Sequence, residues 1–370
     1  MTVRIRSLTV EPLRIPFKVR FRHASAERAE TSSLWVEAVS EQGITGYGES
    51  CPRSYVTAET LETARAFFAE HEEAWRGEIR DLASLREWMA AHNDEIDANP
   101  AGWCATELAV LDLMAKSQGD SIEEFLAMPR LTGRFLYSAV LGDSAIDAFR
   151  ATSEQYRRLG FTDFKVKLSG DMNRDKEKVD VLRGWLASSL RVRLDANNLW
   201  DDGDEAIGFL RALDYPFFAV EEPIHANQFG ELARIGRALD CQIILDESFL
   251  RVGQLAPLRH EPERWLINVR VSKMGGLLRS LNVVTSADAA GIGVVIGAQV
   301  GETSLLTRAA LTVAIAAGGR LVAQEGAFGT FLLERDVIDP PLMFGPGGVL
   351  DVSEYPGLAG PGFGLDVKDS

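Results

Sequence analysis

A repeat of short apolar strands and amphipathic helices dominates the chain from about residue 135 onward. Candidate strands end near Leu141, Lys167, Asp195, Glu221, Asp246, Val271, Gly297 and Glu325. The middle ends follow one another at intervals of about 25 to 28 residues, the length of one strand, one helix and their loops. Eight such units in succession favour a closed (β/α) barrel over an open sheet.

The first 125 residues follow a different pattern. The strand-like "TVRIRSLTVEPLRI" and the hairpin "SLWVEAVSEQGITGYGES" precede helical stretches near 57–75, 82–92 and 102–117. We therefore predict an α+β domain over residues 1–125 and a barrel domain over residues 126–340. The Gly/Pro-rich remainder, 341–370, is predicted to run back over the surface onto the first domain.

Charge and composition exclude several classes of function. The formal net charge of −15 comes without a basic stripe, which argues against a nucleic-acid partner. Three cysteines without a CxxC motif give neither a disulfide framework nor a structural zinc site, so we expect a cytoplasmic protein. No apolar run approaches the roughly 18 residues of a membrane helix, and the N-terminus lacks the apolar core of a signal peptide.

Three consecutive strands of the predicted barrel end in a carboxylate: Asp195, Glu221 and Asp246. The functional groups of such a barrel lie where strands end and loops begin, so these side chains should converge. Converging carboxylates repel one another unless a cation lies among them, and their hard oxygens suit Mg²⁺, with Mn²⁺ as a substitute. Glu222 and Glu247 lie one residue further along, so we expect them to support the ligands or to pair with lysines.

Lysines flank these carboxylates on both sides. Lys165 and Lys167 in "FKVKL" share one face of a strand and should project into the barrel, while Phe164 and Val166 pack outward. Two ammonium groups beside a dication disfavour the charged form, so one of these lysines can serve as a general base. Lys273 follows the sixth strand and should lie across the barrel as a second acid or base.

The set Lys-x-Lys, "LDAN", "EEP", "DES" and "KMGG", in this order and spacing, resembles the enolase superfamily. The resemblance is specifically to its muconate lactonizing branch, which also contains dipeptide epimerases and o-succinylbenzoate synthases. The resemblance covers nearly the whole chain, including "GYGESCPRSYVTAET" and "PGLAGPGFGLDV". It implies an α/β fold, a modified TIM (β/α) barrel with an N-terminal α+β capping domain, assembled as a homo-oligomer (dimer or octamer).

The resemblance also implies roles for the lysines. Lys167 would be the base on one face of the substrate, Lys273 the acid or base on the other, and Lys165 the neighbour that tunes Lys167. A Mg²⁺-bound carboxylate beside the carbon being deprotonated would stabilise the enolate that forms.

The sequence departs from the family where substrates are selected. Dipeptide epimerases typically carry Asp-x-Asp after the eighth strand, where this chain has Gly326 and Phe328, and Glu325 would substitute only in part. The segment "IGAQVGETSLL" leaves Gln299 and Glu302 as candidate pocket residues.

Two further positions are candidates for substrate contact. Asn197 begins a strand-to-helix loop beside the predicted metal site. The loop "RFRHASAERAET" is basic, with Arg22, His23 and Arg28, which suits an anionic substrate.

The sequence therefore predicts an isomerase whose partner is a small-molecule carboxylate. The first hypothesis is Mg²⁺-dependent removal of the α-proton through an enolate, ending in racemisation or epimerisation of an amino-acid-like acid or another small carboxylate. A muconate-type cycloisomerase or a dehydratase would share the enolate step. A Schiff-base aldolase would leave the three acids unexplained, and a barrel kept only for binding would leave both the lysines and the acids unexplained.

Overall fold

The computed structural model describes residues 2–23, 26–185 and 190–368, and side chains within 2–18, 28–185 and 190–368. An antiparallel sheet with helices forms the N-terminal part, and an eight-stranded parallel sheet with helices forms the larger part. This is the predicted fold class, an α/β modified TIM barrel with an N-terminal α+β domain. None of the helices in these ranges combines the length and apolarity needed to cross a bilayer.

The N-terminal strands form a sheet and a separate hairpin. They are β1 (Ile5–Leu13), β2 (Pro16–His23), β3 (Ala26–Glu30), β4 (Ser33–Ser40) and β5 (Thr45–Ser50). Strand β4 lies antiparallel between β1 and β5, whereas β2 pairs with β3. The fully buried Leu34 and Val36 of β4 belong to the main hydrophobic core, so this sheet is anchored by apolar burial.

Five helices follow this sheet. They are α1 (Leu61–Glu78), α2 (Leu82–Ala91), α3 (Asn93–Ala98), α4 (Pro100–Gln118) and α5 (Ile122–Phe125). Thr60 and Asp81 start α1 and α2 with capping boxes, and Gly119 ends α4 in the left-handed conformation. Helix α4 is buried along most of its length. A Cβ on Gly48 of β5 would lie 1.9 Å from the Ala105 carbonyl oxygen of α4, so this strand and helix approach as closely as glycine allows.

The barrel sheet contains eight strands, and two further short strands lie outside it. Strand β6 (Arg134–Leu136) pairs with β15 (Val349–Asp351). The barrel strands are β7 (Ala139–Leu141), β8 (Asp163–Lys167), β9 (Arg191–Asp195), β10 (Ala219–Glu221), β11 (Gln242–Leu245), β12 (Trp265–Val269), β13 (Gly293–Ile296) and β14 (Leu321–Gln324). Each pairs in parallel with the next in chain order.

Two observations show how this sheet closes on itself. The Ser138 N–H, directly before β7, donates to the Gln324 carbonyl of β14 at 2.8 Å. Residues from five different strands also pack into one internal apolar cluster: Ala219, Ile244, Leu266, Val295 and Ala323. The strands therefore surround a packed interior, and their carboxyl ends meet at one end, called here the mouth.

Helices pack around the outside of the sheet. They are α6 (Ile146–Arg158), α7 (Met172–Arg183), α8 (Gly203–Ala212), α9 (Phe229–Leu239), α10 (Val271–Met274), α11 (Leu277–Ala290) and α12 (Ser304–Ala317). The amphipathic α9 buries Leu232 and Ile235 against the sheet. Helix α10 is a single turn that follows β12 almost directly, and it carries Lys273 at the mouth.

The C-terminal segment returns to the N-terminal helices. The Ile122 N–H of α5 donates to the Gly362 carbonyl at 2.8 Å, and the Phe363 N–H donates to the Asp112 carboxylate of α4 at 2.8 Å. A buried ion pair between Arg308 and Glu123, 2.7 Å long, joins α12 to α5. The first two bonds hold the end of the chain against the N-terminal helices, and the ion pair joins those helices to the barrel.

Two buried glutamates from the N-terminal part cap helices of the barrel, and they are called here the interface carboxylates. Glu49 accepts from the Thr303 N–H at 3.1 Å and from the Thr303 hydroxyl at 2.6 Å. Glu107 accepts from the Leu277 and Leu278 N–H groups at the start of α11. Each satisfies backbone donors that a helix N-terminus otherwise leaves unpaired.

Candidate active site

The three carboxylates at the ends of neighbouring strands are called here the mouth carboxylates. Asp195 is the last residue of β9, Glu221 the last of β10, and Asp246 follows β11 directly. Each is 1% exposed, so none is simply solvated at the surface. Parallel pairing in register places Asp195 beside Glu221, which is the convergence the sequence predicts.

Two lysines from β8 contact the first of these carboxylates. The Nζ of Lys167 lies 2.8 Å from Asp195 Oδ2, and the Nζ of Lys165 lies 3.0 Å from the same oxygen. Lys165 reaches further into the barrel, where it lies 2.7 Å from Glu221 Oε2. The alternate residues Phe164 and Val166 are fully buried in the outer core, as strand geometry requires.

Two cations contact the third carboxylate from the other side. Arg270, one residue beyond β12, donates to Asp246 Oδ2 and lies 4.0 Å from Glu221 Oε1. Lys273 on α10 lies 2.8 Å from Asp246 Oδ1. Sequence reasoning missed Arg270. The signal was available, because Asn268 and Arg270 in "INVRVSK" share the inner face of one strand.

The charges of the mouth carboxylates differ with their neighbours. Burial raises the pKa of Asp195, but Lys165 and Lys167 outweigh it and hold that pKa below its usual range. The pKa of Asp246 is likewise lowered, because Arg270 and Lys273 outweigh burial. Burial raises the pKa of Glu221 to about 7, and Lys165 only partly opposes this rise.

The pKa values of Lys165 and Lys273, the two most buried of these lysines, move in opposite directions. Burial lowers the pKa of Lys165, but the carboxylates of Asp195, Glu221 and Glu325 outweigh burial, so the pKa lies above the usual lysine value. The pKa of Lys273 is lowered, with burial as the largest cause.

The residue types of the mouth fit a hard divalent cation. Glu247 is largely buried with a pKa raised to about 7, and its Oε2 has no hydrogen-bond partner among the described residues. Three neighbouring carboxylates and this unsatisfied oxygen supply the donors that Mg²⁺ prefers. In the described ranges no three acidic, imidazole or thiol groups form a metal-ligand cluster. Lys165 contacts Asp195 and Glu221, and Arg270 contacts Asp246, at oxygens that a dication would also use.

Asn197 and Glu222 organise the loops beside the mouth carboxylates. The Asn197 Oδ1 accepts from Lys167 Nζ at 2.7 Å, and its N–H donates to Asp195 Oδ1 at 3.1 Å. Glu222 accepts at 2.7 Å from the N–H groups of both Asp246 and Ser248. Glu222 therefore contacts backbone rather than a lysine, and it holds the loop that presents Asp246.

The structure places Gln299, Glu302 and Glu325 at the mouth in different settings. Gln299 accepts from the Arg270 guanidinium at 3.0 Å, and its N–H donates to Glu302 at 2.6 Å. Burial raises the pKa of Glu302 to about 7. Glu325 lies 2.8 Å from the Arg193 guanidinium and 3.4 Å from Lys165, so its charge is already balanced inside the barrel.

The basic loop is described only in part. Arg28 is half-buried beside Tyr55, and burial together with the Arg53 charge lowers the pKa of its guanidinium. The side chains of Arg22 and His23 lie outside the described residues. A cavity of about 270 Å³ lies between the N-terminal part and the barrel, lined by Tyr55 and Lys273 among others.

Comparison with known proteins places this architecture in a family. A family model described as Enolase C-terminal domain-like matches residues 148–370. An L-Lys-D/L-Arg epimerase of Methylococcus capsulatus is 31% identical over 353 residues, which cover 94% of this chain and 95% of the relative.

Two solved structures resemble the whole chain. A dipeptide epimerase from Methylococcus capsulatus, complexed with Mg and the dipeptide L-Arg-D-Lys, matches with a TM-score of 0.84 and 28% identity, covering 99% of this chain and 100% of that chain. A muconate lactonizing enzyme from Pseudomonas fluorescens, complexed with muconolactone, matches with a TM-score of 0.86 and 23% identity, covering 99% and 97%. Because its sequence identity is only 23%, the muconate lactonizing enzyme shows that the fold is shared and no more.

A closed barrel with buried carboxylates and lysines at the carboxyl ends of its strands defines the protein as a (β/α)-barrel enzyme, specifically an isomerase. The chain belongs to the enolase superfamily, in the branch of muconate lactonizing enzymes and dipeptide epimerases.

Proposed function

We propose that the protein removes the proton α to a carboxylate of a small substrate and stabilises the resulting enolate at a Mg²⁺ ion. The observation that carries this proposal is the row of buried charges along three strands, Lys167–Asp195–Lys165–Glu221. Asp195, Glu221 and Asp246 would hold the metal, and Mn²⁺ would suit the same oxygens. When bound, the ion supplies positive charge that lowers the cost of forming an enolate.

The chain's own residues would perform the proton transfer. The Lys167 side chain is 13% exposed at the mouth, so its Nζ can meet a bound substrate. Asp195 and Asn197 each lie within 2.8 Å of that Nζ and fix its position. Lys165 is 3% exposed and in contact with three carboxylates, so it would balance their charge rather than meet the substrate.

Epimerisation of an amino-acid-like carboxylate is the first candidate for the complete reaction. Its support is the family of relatives, which includes the L-Lys-D/L-Arg epimerase. Glu325 is paired with Arg193 and Lys165, so it has no spare charge for a substrate ammonium group. We therefore favour acids whose amino group is acylated or lies away from β14, such as N-acyl amino acids and dipeptides.

Cycloisomerisation or β-elimination is the second candidate, and one observation favours it. Arg270 extends from the wall of the mouth opposite β8, and a guanidinium stays protonated at every physiological pH. A reaction that needs only one base would use Lys167 and leave Arg270 to hold a negative oxygen.

Deuterium exchange tests the shared step. Racemic N-succinyl amino acids and Lys–Arg dipeptides would be incubated with enzyme and Mg²⁺ in D₂O, and the α-proton signal followed by NMR. We expect loss of the α-proton signal from at least one acid. Retention of every α-proton by a protein that binds Mg²⁺ would overturn the proposal.

A further inference from the structure

Strand β8 ends at Lys167, where its pairing with the shorter strand β7 has already stopped. The last pair of that ladder is Leu141 opposite Val166. On the other side of β8, the Leu168 N–H donates to the Asp195 carbonyl of β9 at 2.8 Å. Successive residues of a strand direct their backbone groups to opposite neighbours, so the Lys167 carbonyl points to the side of β7, beyond the end of that ladder.

The ammonium group of Lys178 on α7 supplies the donor for this carbonyl. Its Nζ donates to the Lys167 carbonyl at 2.9 Å, to Asp143 Oδ1 at 2.8 Å and to Asp175 Oδ1 at 2.8 Å. Lys178 is 2% exposed, and an ammonium group has three donors, so all of them are used within the protein. Two bonds balance the charge of Lys178, and the third holds the backbone of Lys167.

Asp175, on the preceding turn of α7, holds the residues that follow the strand. Its carboxylate accepts from the Ser169 N–H at 3.0 Å, from the Ser169 hydroxyl at 2.9 Å and from the Gly170 N–H at 3.0 Å. The Asp175 side chain is 0% exposed. Helix α7 therefore fixes the backbone at Lys167 and again at Ser169 and Gly170.

The contact with the Lys167 carbonyl distinguishes Lys178 from an ordinary ion-pair partner. Asp143, in the loop after β7, also accepts from the Arg174 guanidinium at 2.8 Å, so its charge has a second partner. The Arg174 side chain is 50% exposed and lies on the same helix. A helix that needed only a cation near Asp143 already has one in Arg174.

The position of the Lys167 ammonium group depends on this backbone contact. Its Nζ lies 2.8 Å from Asp195 Oδ2 and 2.7 Å from Asn197 Oδ1, and both partners belong to β9 and its loop. A lysine side chain is long and flexible, so bonds at Nζ alone do not fix its backbone. Lys167 is thus held at its tip from the side of β9 and at its carbonyl by α7. A misplacement of about 1 Å in a reacting group can slow a reaction by about 100-fold.

We propose that Lys178 is a positioning residue for Lys167, acting through the Lys167 carbonyl and without contact to the substrate. The inference rests on the proposed function and deepens it. Lys167 and Lys273 follow the second and sixth of the eight barrel strands, so they approach a bound acid from opposite walls. Loss of Lys178 should therefore slow proton removal from one configuration of the α-carbon and not from the other.

The two configurations of one substrate test this selectivity. N-succinyl-L-arginine and N-succinyl-D-arginine, and likewise L-Lys-L-Arg and L-Lys-D-Arg, would be incubated with enzyme and Mg²⁺ in D₂O, and the α-proton of the arginine followed by NMR. Lys167→Ala identifies the configuration that Lys167 deprotonates. We expect Lys178→Met to slow exchange of that configuration by about 10- to 100-fold, with the other configuration near the wild-type rate.

Lys176→Met is the matched control, because Lys176 lies on the exposed face of the same helix. It should leave both rates unchanged. A merely structural role for Lys178 would slow both configurations together, since it would reduce the amount of folded enzyme. Equal slowing of both configurations in Lys178→Met, or wild-type rates for both, would overturn the proposal.

Lys178→Arg keeps a charged donor at this position and covers the case in which Lys178→Met does not fold. The guanidinium can still donate to the carbonyl and the carboxylates, but at a different length. We expect it to slow the same configuration as Lys167→Ala does, and by less than Lys178→Met. Equal slowing of both configurations by Lys178→Arg would also contradict the positioning role.

A crystal structure of the Lys178→Met variant tests the placement without any substrate. We expect the Lys167 backbone to shift and its Nζ to lose contact with Asn197. A Lys167 side chain that keeps both Asp195 and Asn197 as partners would overturn the inference. If no acid exchanges with the wild-type protein while the variant shows a displaced Lys167, the proposed function fails and the positioning role stands.

Discussion

The molecule contains two groups of buried carboxylates that differ in the partners compensating for their loss of contact with water. The mouth carboxylates Asp195, Glu221 and Asp246 lie among lysine and arginine side chains. The interface carboxylates Glu49 and Glu107 accept hydrogen bonds from backbone N–H groups and a hydroxyl. Both groups are almost fully buried, so burial alone does not mark a functional site.

Their protonation differs as a result. Cations outweigh burial at Asp195 and Asp246 and lower the pKa of each. At Glu49 and Glu107 burial outweighs the hydrogen bonds and raises each pKa to about 8. Asp195 and Asp246 therefore keep their negative charge near neutral pH, and Glu221, with its pKa raised to about 7, is intermediate. The interface carboxylates stay largely protonated near neutral pH and serve as helix caps.

The largest expected effect is on catalysis at the mouth. Lys167→Ala should slow α-proton exchange by about 10²- to 10⁴-fold, the usual contribution of a positioned general base. The exchange rate measured by NMR in D₂O checks this, with Lys176→Ala on the exposed face of α7 as the matched control. Exchange at the wild-type rate in Lys167→Ala would remove Lys167 from the reaction.

Lys165 should matter more for folding than its neighbour does. Lys165→Met leaves the buried carboxylates of Asp195, Glu221 and Glu325 with one cation fewer, so we expect the free energy of unfolding to fall by about 3 to 5 kcal/mol. Lys167 is more exposed, and Lys167→Met should cost less. Urea unfolding of both variants measures the difference, and equal losses would show that the two lysines play equivalent structural roles.

The interface carboxylates should make stability depend on pH. Because the folded protein holds a proton on Glu107 up to about pH 8 while an unfolded chain releases it near pH 4.5, the free energy of unfolding should fall as pH rises from about 5 to 8. Each such group contributes at most about 1.4 kcal/mol per pH unit.

Glu107→Gln should flatten this decline, because the amide oxygen can still accept from Leu277 without gaining a charge. Urea unfolding at pH 5, 6.5 and 8 measures the slope, with Glu87→Gln on the exposed face of α2 as the control. A slope in Glu107→Gln as steep as in wild type would mean that Glu107 is already ionised when buried.

Much of the barrel could be predicted from the sequence because its strands are short, apolar and regularly spaced. The predicted ends at Leu141, Lys167, Asp195 and Glu221 coincide with the ends of β7 to β10. The periodicity carries this information locally, so no long-range contact is needed to read it.

Contacts between distant strands could not be predicted from such local sequence patterns. The ion pair from Arg193 on β9 to Glu325 after β14 depends on barrel closure, and it gives Glu325 a buried partner that no local pattern predicts. Arg270 was overlooked, although strand alternation places it on the inner face beside Asp246. No local sequence pattern predicted the role of Glu107 as a helix cap, because the helix that it caps begins 170 residues further along the chain.

The contrast between the two groups of carboxylates is tested most directly by calorimetric titration of the protein with Mg²⁺. We predict that the wild-type protein and Glu107→Gln bind Mg²⁺ with similar affinity, whereas Glu221→Gln binds it more than about 100-fold more weakly, since removing a ligand costs at least as much as removing a residue that supports one. Wild-type affinity in Glu221→Gln, or no binding to the wild-type protein, would contradict the account.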